Sequence, residues 1–189
     1  MRTLMVSSFF ALIALPAVAT DYQVAMDNYL ETNIRSWAQN PVLVEAISSQ
    51  NQETNGLGQA DVDALDTQWR AEVGTGGSAL INDVLNNDAA EFLRAQVEAS
   101  GGRITEVFVM DAQGLNVAAS SATSDMWQGD EAKFQMTYSV GSDAVHFGEV
   151  ELDESSRRYQ AQISLTIVDA ETGAAIGAMT VGVDADSLM

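Results

Sequence analysis

The sequence predicts an α+β domain in which a helical first half precedes an antiparallel sheet. Apolar residues recur at helical spacing up to about residue 100, the pattern changes after Gly101 and Gly102, and five strand-like runs follow without long helices between them. The 189 residues, 47% of them hydrophobic, can bury one sizeable core. We therefore expect one domain over residues 20–189, with a helical region at 20–100 and a sheet at 101–189.

Residues 1–19 have the pattern of a cleavable secretory signal peptide. A basic residue at position 2 precedes an apolar run over 4–15, and the small residues Ala17 and Ala19 fit a signal-peptidase site before Thr20. The run is shorter than the roughly 20 apolar residues that cross a bilayer. We expect export to a bacterial periplasm; the alternatives are an uncleaved anchor or a buried helix.

The first predicted helix is long and amphipathic, over residues 21–39. Its apolar side chains recur at helical spacing, except that Ile34 is displaced by one position. Pro41 should interrupt the helix, because the residue before a proline avoids the helical region. A second helical segment is expected over 42–47, and the polar stretch 50–58 is expected to form a loop.

Two further helical stretches complete this half. Asp61 is a good N-cap for a helix that ends at the glycine-rich residues 74–77. Residues 78–100 again have a helical pattern, with a break expected around 86–88.

The second half of the chain carries the strands. They are predicted over residues 104–110, 115–120, 145–152, 159–168 and 174–183. Tight turns join the first two strands and the last two, which makes two hairpins. A polar loop over 121–130 and a short helix over 131–138 lie between the second and third strands.

The strand at 159–168 indicates how the sheet is layered. Its odd-numbered residues from Tyr159 to Ile167 are apolar, and its even-numbered residues from Gln160 to Thr166 are polar. One interpretation is a sheet with a core face and a wet face. The other is that the long helix covers the apolar face while the loop at 121–130 folds over the polar face, which leaves a pocket for a polar small molecule.

Composition excludes several classes of function. With 27 acidic and 8 basic residues, the chain has a formal charge of -19, which disfavours binding to nucleic acid and to anionic membranes. The absence of cysteine and the single histidine, His146, remove disulfides, thiol catalysis, cysteine-histidine zinc sites and a serine triad. We expect no enzymatic activity, no cofactor and no metal site, and we interpret His146 as a strand histidine rather than a base.

An acidic cluster near the predicted pocket has two interpretations. Asp130 can cap the short helix with Glu131 in its first turn, or an acid among Asp125, Asp130 and Glu131 can contact a ligand. Trp127, in the same loop, is either a plug in the core or a wall against which a ligand packs.

Several segments of the second half resemble the periplasmic PAS-like sensor domains of the Cache superfamily. The most specific is Thr-Ser-Asp-Met-Trp-Gln-Gly-Asp-Glu at 123–131, which follows a similar stretch at 107–120. The closing segments at 153–156, 162–165, 168–173 and 176–178 also resemble that family. The resemblance covers about residues 21–188.

The resemblance implies a fold and a site. It implies a five-stranded antiparallel PAS-like sheet with a long N-terminal helix along one face and a small-molecule pocket on the other. The pocket would be walled by Ser120, Trp127, Asp130, Glu131, Gln162 and Ser164. Of the nearby charges, Lys133, Arg157 and Arg158 favour a carboxylate ligand, whereas Asp125, Asp130 and Glu131 favour an amine or a cation.

These observations together predict a non-catalytic periplasmic sensor domain that binds a small organic ligand, either an amino acid, a carboxylate or an amine. Family members are commonly fused to signalling modules, so a free-standing domain is expected to act through a membrane receptor partner. The alternative is an envelope interaction protein that dimerises or docks through the N-terminal helix and has a vestigial pocket.

Overall fold

The computed structural model describes residues 17–153 and 158–189. Most of the predicted signal peptide, residues 1–16, therefore lies outside the described residues, as do positions 154–156 of the family resemblance. The predicted α+β fold class is confirmed: helices cover one face of an antiparallel sheet, and a smaller group of helices covers part of the other face.

The helices of the described residues fall mainly in the first half of the chain, as predicted. They are α1 (Ala17–Tyr29), a π-helical segment (Leu30–Ile34), α2 (Arg35–Ala38), α3 (Pro41–Thr54), α4 (Gln59–Glu72), α5 (Ala79–Leu85), α6 (Asp88–Ala99), α7 (Ala132–Gln135) and a closing 3-10 turn (Ala185–Leu188).

The π-helical segment explains why Ile34 is displaced in the sequence pattern. Buried residues recur every four positions at Met26, Leu30, Ile34 and Ala38. In an α-helix with 3.6 residues per turn, each such step rotates the side chain by about 40° away from the core. The wider π turn absorbs this drift. The predicted long helix is thus a run of shorter segments that keeps one face on the sheet.

Helix α3 begins as predicted but ends later. Asn40 caps it by accepting a hydrogen bond from Val42 N at 3.0 Å, and Pro41 occupies its first turn. The loop predicted over 50–58 is wrong for its first half, because the helix continues to Thr54. Two of the polar side chains there face inward, where Gln50 and Thr54 donate to buried Asp111.

The cap predicted for α4 is also wrong. Gly58 is the N-cap residue, and Asp61 lies three positions later, where its carboxylate accepts from Gly58 N at 3.0 Å. The predicted break in the next stretch is confirmed between α5 and α6, which are capped by the side chains of Ser78 and Asn87.

The strands form one antiparallel sheet. They are β1 (Ile104–Met110), β2 (Asn116–Ala119), β3 (Val145–Phe147), β4 (Glu151–Asp153), β5 (Arg158–Val168) and β6 (Ala175–Asp184). The order across the sheet is β2-β1-β6-β5-β3, and β4 also pairs with β5. Sequence neighbours form the two predicted hairpins, and β1 and β6 join these hairpins at the centre.

The strand predicted over 145–152 is two short strands on the same edge of β5. Phe147 pairs with Ile163 and Glu151 pairs with Gln160, so four steps on one side match three on the other. The extra residue is a bulge around Gly148, whose N–H donates to the carbonyl of Gln162.

The two faces of the sheet differ as the alternation in β5 predicts. On one face, Ala161, Ile163 and Leu165 pack in a core built from α1, the π segment, α3 and α6. On the other face, a second core around Phe108 and Met110 covers only the end near the β1–β2 turn, with α4, α5, α7 and the loop after β2 as its cover. The opposite end of this polar face carries no such core and forms a cleft.

Candidate ligand-binding cleft

The cleft has a volume of about 940 Å³ and lies between the polar face of the sheet and residues 122–133. We call Glu106, Gln160 and Gln162 its floor. The rest of the lining comes from α1, the end of α4, β1, the loop after β2, α7 and the β3–β4 edge. These residues are Gln23, Val73, Phe108, Ala122, Thr123, Ser124, Gln128, Glu131, Ala132, Lys133, His146, Phe147, Gly148, Glu149, Glu151 and Leu152. This size is within the range of small-molecule sites.

The floor is a hydrogen-bonded cluster from two strands that are not adjacent. Glu106 Oε1 on β1 accepts from Gln160 Nε2 at 3.0 Å and from Gln162 Nε2 at 3.5 Å, both on β5. Strand β6 runs between them, and at the crossing its residue is Gly182, in register with Glu106 and Gln162. A Cβ there would lie 2.9 Å from both Glu106 Cγ and Gln160 Oε1, so the glycine leaves room for the cluster.

Lys133 forms a fixed positive charge on the opposite wall. Its Nζ lies 2.9 Å from Glu131 Oε2 and 3.2 Å from Gln128 Oε1, and 5.5 Å from the centroid of the Phe108 ring. The ring of Phe108 belongs to the second core, so the ammonium group lies over a ring whose position is fixed. Glu131 thus neutralises the ammonium group.

Three of the eight predicted site residues line the cleft, namely Glu131, Lys133 and Gln162. Ser164 lies on the same face but is fully buried, with its Oγ 3.0 Å from Thr180 Oγ1. Ser120 is at the edge of the sheet, where its Oγ accepts from Val107 N at 2.9 Å. Neither serine is among the lining residues.

Trp127 contacts the β1–β2 turn and does not line the cleft. Its indole Nε1 donates to the carbonyl of Gln113 at 2.9 Å, and its backbone forms a bridge with Leu115. The ring lies against Gly129, so tightly that any Cβ at that position would overlap it. The indole therefore faces the β1–β2 turn, and Trp127 is not among the residues that line the cleft.

Asp125 organises the loop after β2. Its carboxylate accepts from Gln128 Nε2 at 2.7 Å and lies 3.3 Å from Arg70 Nη2 on α4. Its carbonyl accepts from the side chain of Asn116 at 2.9 Å. These bonds attach the loop to α4 and β2, behind the cleft rather than in its lining.

Asp130 is exposed and lies in the turn before α7. The capping interpretation for it is wrong, because Glu131 is the N-cap residue and α7 begins at Ala132, with no side-chain cap bond. Glu131 instead turns its carboxylate to Lys133, two residues along the chain, and both residues line the cleft.

Sequence reasoning missed Glu106, His146, Glu149 and Glu151 as cleft residues. For Glu106 a signal exists, because it is the one charged residue in the strand Ile-Thr-Glu-Val-Phe-Val-Met. The other three depend on the bulge in the β3–β4 edge, which a single-strand prediction could not place. His146 is in register with Ser164, so its ring belongs to the cleft face.

The described residues contain no group of three or more acidic or histidine side chains arranged to hold a metal ion. Among the helices of residues 17–153 and 158–189, none is both long and apolar enough to span a membrane. A second groove of about 700 Å³ lies between α3 and the α5–α6 corner.

No protein-family model and no curated protein sequence matches the chain. Among solved structures, it is similar to the E. coli DcuS sensor domain, with a TM-score of 0.50 and 11% identity over 89% of this chain and 95% of that one. The ligand-binding domain of the Campylobacter jejuni chemoreceptor Tlp3 in complex with 4-methylisoleucine matches with a TM-score of 0.42 and 16% identity over 89% of this chain. The sensor domain of the V. cholerae histidine kinase DctB matches with a TM-score of 0.39 and 14% identity over 88%.

The chain spans only 62% of the Tlp3 domain and 58% of the DctB domain, but nearly all of the DcuS domain. At these identities the comparison bears on the fold. The chain has the α+β fold of PAS-like sensor domains, as the resemblance to the Cache superfamily implied.

Proposed function

We propose that this protein is a non-catalytic, exported sensor domain that binds a small organic molecule in the cleft. The observation that carries the proposal is the floor of Glu106, Gln160 and Gln162, a polar cluster inside a cleft of about 940 Å³. Amide and carboxylate groups that are held by each other can orient a ligand by hydrogen bonds without large rearrangement.

The fold offers a route from the cleft to a partner. The cleft floor lies on one face of the sheet, and α1 packs on the opposite face. The segment at 122–133 also contacts α4, because Asp66 accepts hydrogen bonds from the N–H groups of Met126 and Trp127. A ligand that draws this segment toward the floor would bias how the helices pack on the sheet. A membrane partner that contacts α1 would then sense the change.

The position of the first helix favours ligand binding over the alternative of an interaction helix. Its apolar residues Met26, Tyr29 and Leu30 are 2%, 8% and 0% exposed, because the sheet covers them. Among the described side chains of this helix, Val24 is the exposed large apolar one. An interface between proteins would need a broader apolar surface than one valine.

A thermal-shift screen tests the proposal. The mature protein is heated with amino acids, organic acids and amines, and a ligand that binds the folded state raises the melting temperature by mass action. Ala132→Trp places a large ring in the cleft from an exposed position on α7, and Ala64→Trp adds the same ring at an exposed position on α4, outside the cleft.

We expect at least one compound to stabilise the protein and its Ala64→Trp variant, and to lose that effect in Ala132→Trp. A compound that stabilises all three proteins equally would place binding outside the cleft. A screen without any stabilising compound would contradict the proposed function.

A further inference from the structure

We propose that the second groove, between α3 and the α5–α6 corner, is a docking site for a basic amphipathic helix of a partner protein. The inference goes beyond the proposed function, because it concerns a surface outside the cleft. The groove has a volume of about 700 Å³. Its walls, its interior and its rim each restrict what can bind there.

Both walls of the groove are helical. On α3 the lining residues lie at positions 42, 45, 46, 49, 50, 53 and 54, which follow one face of an α-helix. At 1.5 Å per residue, the face from Val42 to Thr54 is roughly 18 Å long. The opposite wall comes from α5 and the start of α6. A trough of this length between two helical walls matches a third helix of about three turns.

The interior of the groove offers apolar contacts. Val42, Ala46, Leu65 and Leu80 line it and are partly exposed. Below them, the floor includes the buried side chain of Met126. This apolar surface is broader than the single exposed valine of α1, and apolar anchors at helical spacing on a partner helix would cover it.

The hydrogen-bonding groups inside the groove are already engaged within the protein. Gln50 donates to the carbonyl of Asn116 at 3.2 Å, and Asn87 donates to the carbonyl of Val117 at 3.0 Å. Both carbonyls belong to β2, an edge strand of the sheet. A partner strand could pair with this edge only by breaking these bonds. A helix satisfies its backbone internally and needs no such edge.

The rim of the groove is acidic on both sides. Glu45 and Glu53 lie on α3, Asp83 and Asp88 lie on the opposite wall, and all four are exposed. Among the described residues that line the groove, none is basic. Basic side chains on both flanks of a docked helix would complement the two rims. A second copy of this chain, with its formal charge of -19, would instead be repelled.

The groove and the cleft share one loop. Met126 lies in the groove, whereas Thr123, Ser124 and Gln128 of the same loop line the cleft. A helix in the groove would therefore contact a segment that also borders the proposed ligand site.

Fluorescence anisotropy with a labelled peptide tests the inference. The probe is a 14-residue peptide with leucines on one helical face and lysines and alanines elsewhere. One control peptide contains the same residues in a scrambled order without an apolar face, and the other has glutamate in place of every lysine. We expect one probe per protein, bound at least tenfold more tightly than either control, and circular dichroism should show that the probe becomes helical on binding.

Two tryptophan variants of the full chain after signal removal locate the site. Ser49→Trp fills the groove from an exposed position on α3, and Gln52→Trp adds the same ring at an exposed position on α3 outside the lining. We expect Ser49→Trp to weaken probe binding at least tenfold and Gln52→Trp to change it less than twofold. Melting temperatures confirm that each variant folds.

Two double variants test the rim. Glu45→Gln with Glu53→Gln should weaken probe binding at least threefold. Glu98→Gln with Glu171→Gln removes the same charge at exposed positions outside the lining and should leave the affinity unchanged. These changes keep the apolar lining intact, so they decide the inference if Ser49→Trp does not fold.

Several results would overturn the inference. Equal weakening by the two double variants, or equal binding of the scrambled peptide, would show diffuse attraction to an acidic protein. Equal binding of the glutamate peptide would exclude a basic partner, and unchanged binding to Ser49→Trp would exclude the groove. Absence of probe binding would also contradict the docking site. The thermal-shift screen of the cleft is independent of these results, so the two proposals can fail separately.

Discussion

Asp111 holds the turn between β1 and β2 against helix α3. The residue is fully buried; its Oδ1 accepts from the backbone N–H groups of Gln113 and Leu115, and its Oδ2 accepts from Gln50 and Thr54 at 3.0 and 2.9 Å. The stretch that reads as a polar loop in the sequence is thus a helix whose polar side chains satisfy one carboxylate.

Replacing this carboxylate should be strongly destabilising. Asp111→Ala leaves four donors without their acceptor, and we expect the free energy of unfolding to fall by about 3 kcal/mol or more. Asp111→Asn keeps one acceptor oxygen and should cost less. Urea denaturation measures both, with Asp143→Ala at an exposed position as the control. A cost below about 1 kcal/mol for Asp111→Ala would contradict the role assigned to this residue.

Gly114 combines a backbone constraint with a close contact. Its φ is +81°, and a Cβ there would lie 2.6 Å from the Cα of Gly129 in the Trp127 loop. Gly74 has a nearly equal φ of +79° but open space around it. We expect Gly74→Ala to cost about 1–2 kcal/mol from strain alone and Gly114→Ala to cost clearly more. If urea denaturation shows equal losses of unfolding free energy for the two variants, the backbone at Gly129 can move aside without cost.

At the scale of elements, the π segment acts as a one-residue insertion in the first helix. Deleting exposed Thr32 would change the three spacings between Met26, Leu30, Ile34 and Ala38 from four, four and four to four, three and four, which an ordinary α-helix can hold on one face. We therefore expect this deletion to keep the fold, with a melting temperature near that of the parent protein.

Deleting exposed Ser49 from the regular helix α3 is the matched control for the Thr32 deletion. It rotates Gln50 and Thr54 away from Asp111, so circular dichroism should show a large loss of thermal stability. If both deletions lower the melting temperature equally, the extra residue of the π segment is required for the packing of the core.

The turn between β5 and β6 gives a pH dependence of known sign. The Thr172 side chain, followed by the backbone N–H groups of Thr172 and Glu171, donates to Asp169 and holds the pKa of its carboxyl below the usual 3.8. Because the folded pKa is lowered, the stabilisation is present above pH 3.8 and is lost as the pH falls through the folded value.

The difference in unfolding free energy between the parent protein and Asp169→Ala tests this sign. It should be largest at pH 7 and shrink as the pH falls below 3.8 and through the lowered pKa of the folded state. A difference that grows as the pH falls would contradict the hydrogen bonding of this turn.

Local pattern predicts the sheet far better than it predicts the site. Alternation in β5 correctly separates Ile163 from Gln162, because the side-chain period of a strand depends on local geometry alone. The direction in which Trp127 points depends on Gly114 and Gly129, which are separated in the sequence but adjacent in space. The floor likewise needs β1 and β5 on either side of β6, a pairing that no local pattern contains.

For the molecule as a whole, charge opposes folding more than it assists it. The formal charge of the chain is -19. The ion pairs of the described residues, such as Arg70–Asp66 and Arg158–Asp184, mostly have an exposed basic partner. Exposed pairs contribute little, whereas repulsion among 27 acidic residues acts over the whole surface. Salt should therefore stabilise the protein.

We expect the melting temperature to rise steadily between 0.05 and 1 M sodium chloride, because screening weakens the repulsion. Potassium chloride at the same concentrations serves as the control for a specific sodium effect. A melting temperature that falls with salt would mean that attractive ion pairs dominate the electrostatics.

The central claim is that the end of the sheet opposite the second core receives a ligand on Glu106, Gln160 and Gln162. Heteronuclear NMR follows the side-chain amide signals of the two glutamines directly while the most stabilising compound of the screen is added. The account predicts that both signals shift in proportion to occupancy in the parent protein and stay unchanged in Ala132→Trp. Shifts confined to residues of the second groove, such as Asn87 and Gln50, would contradict it.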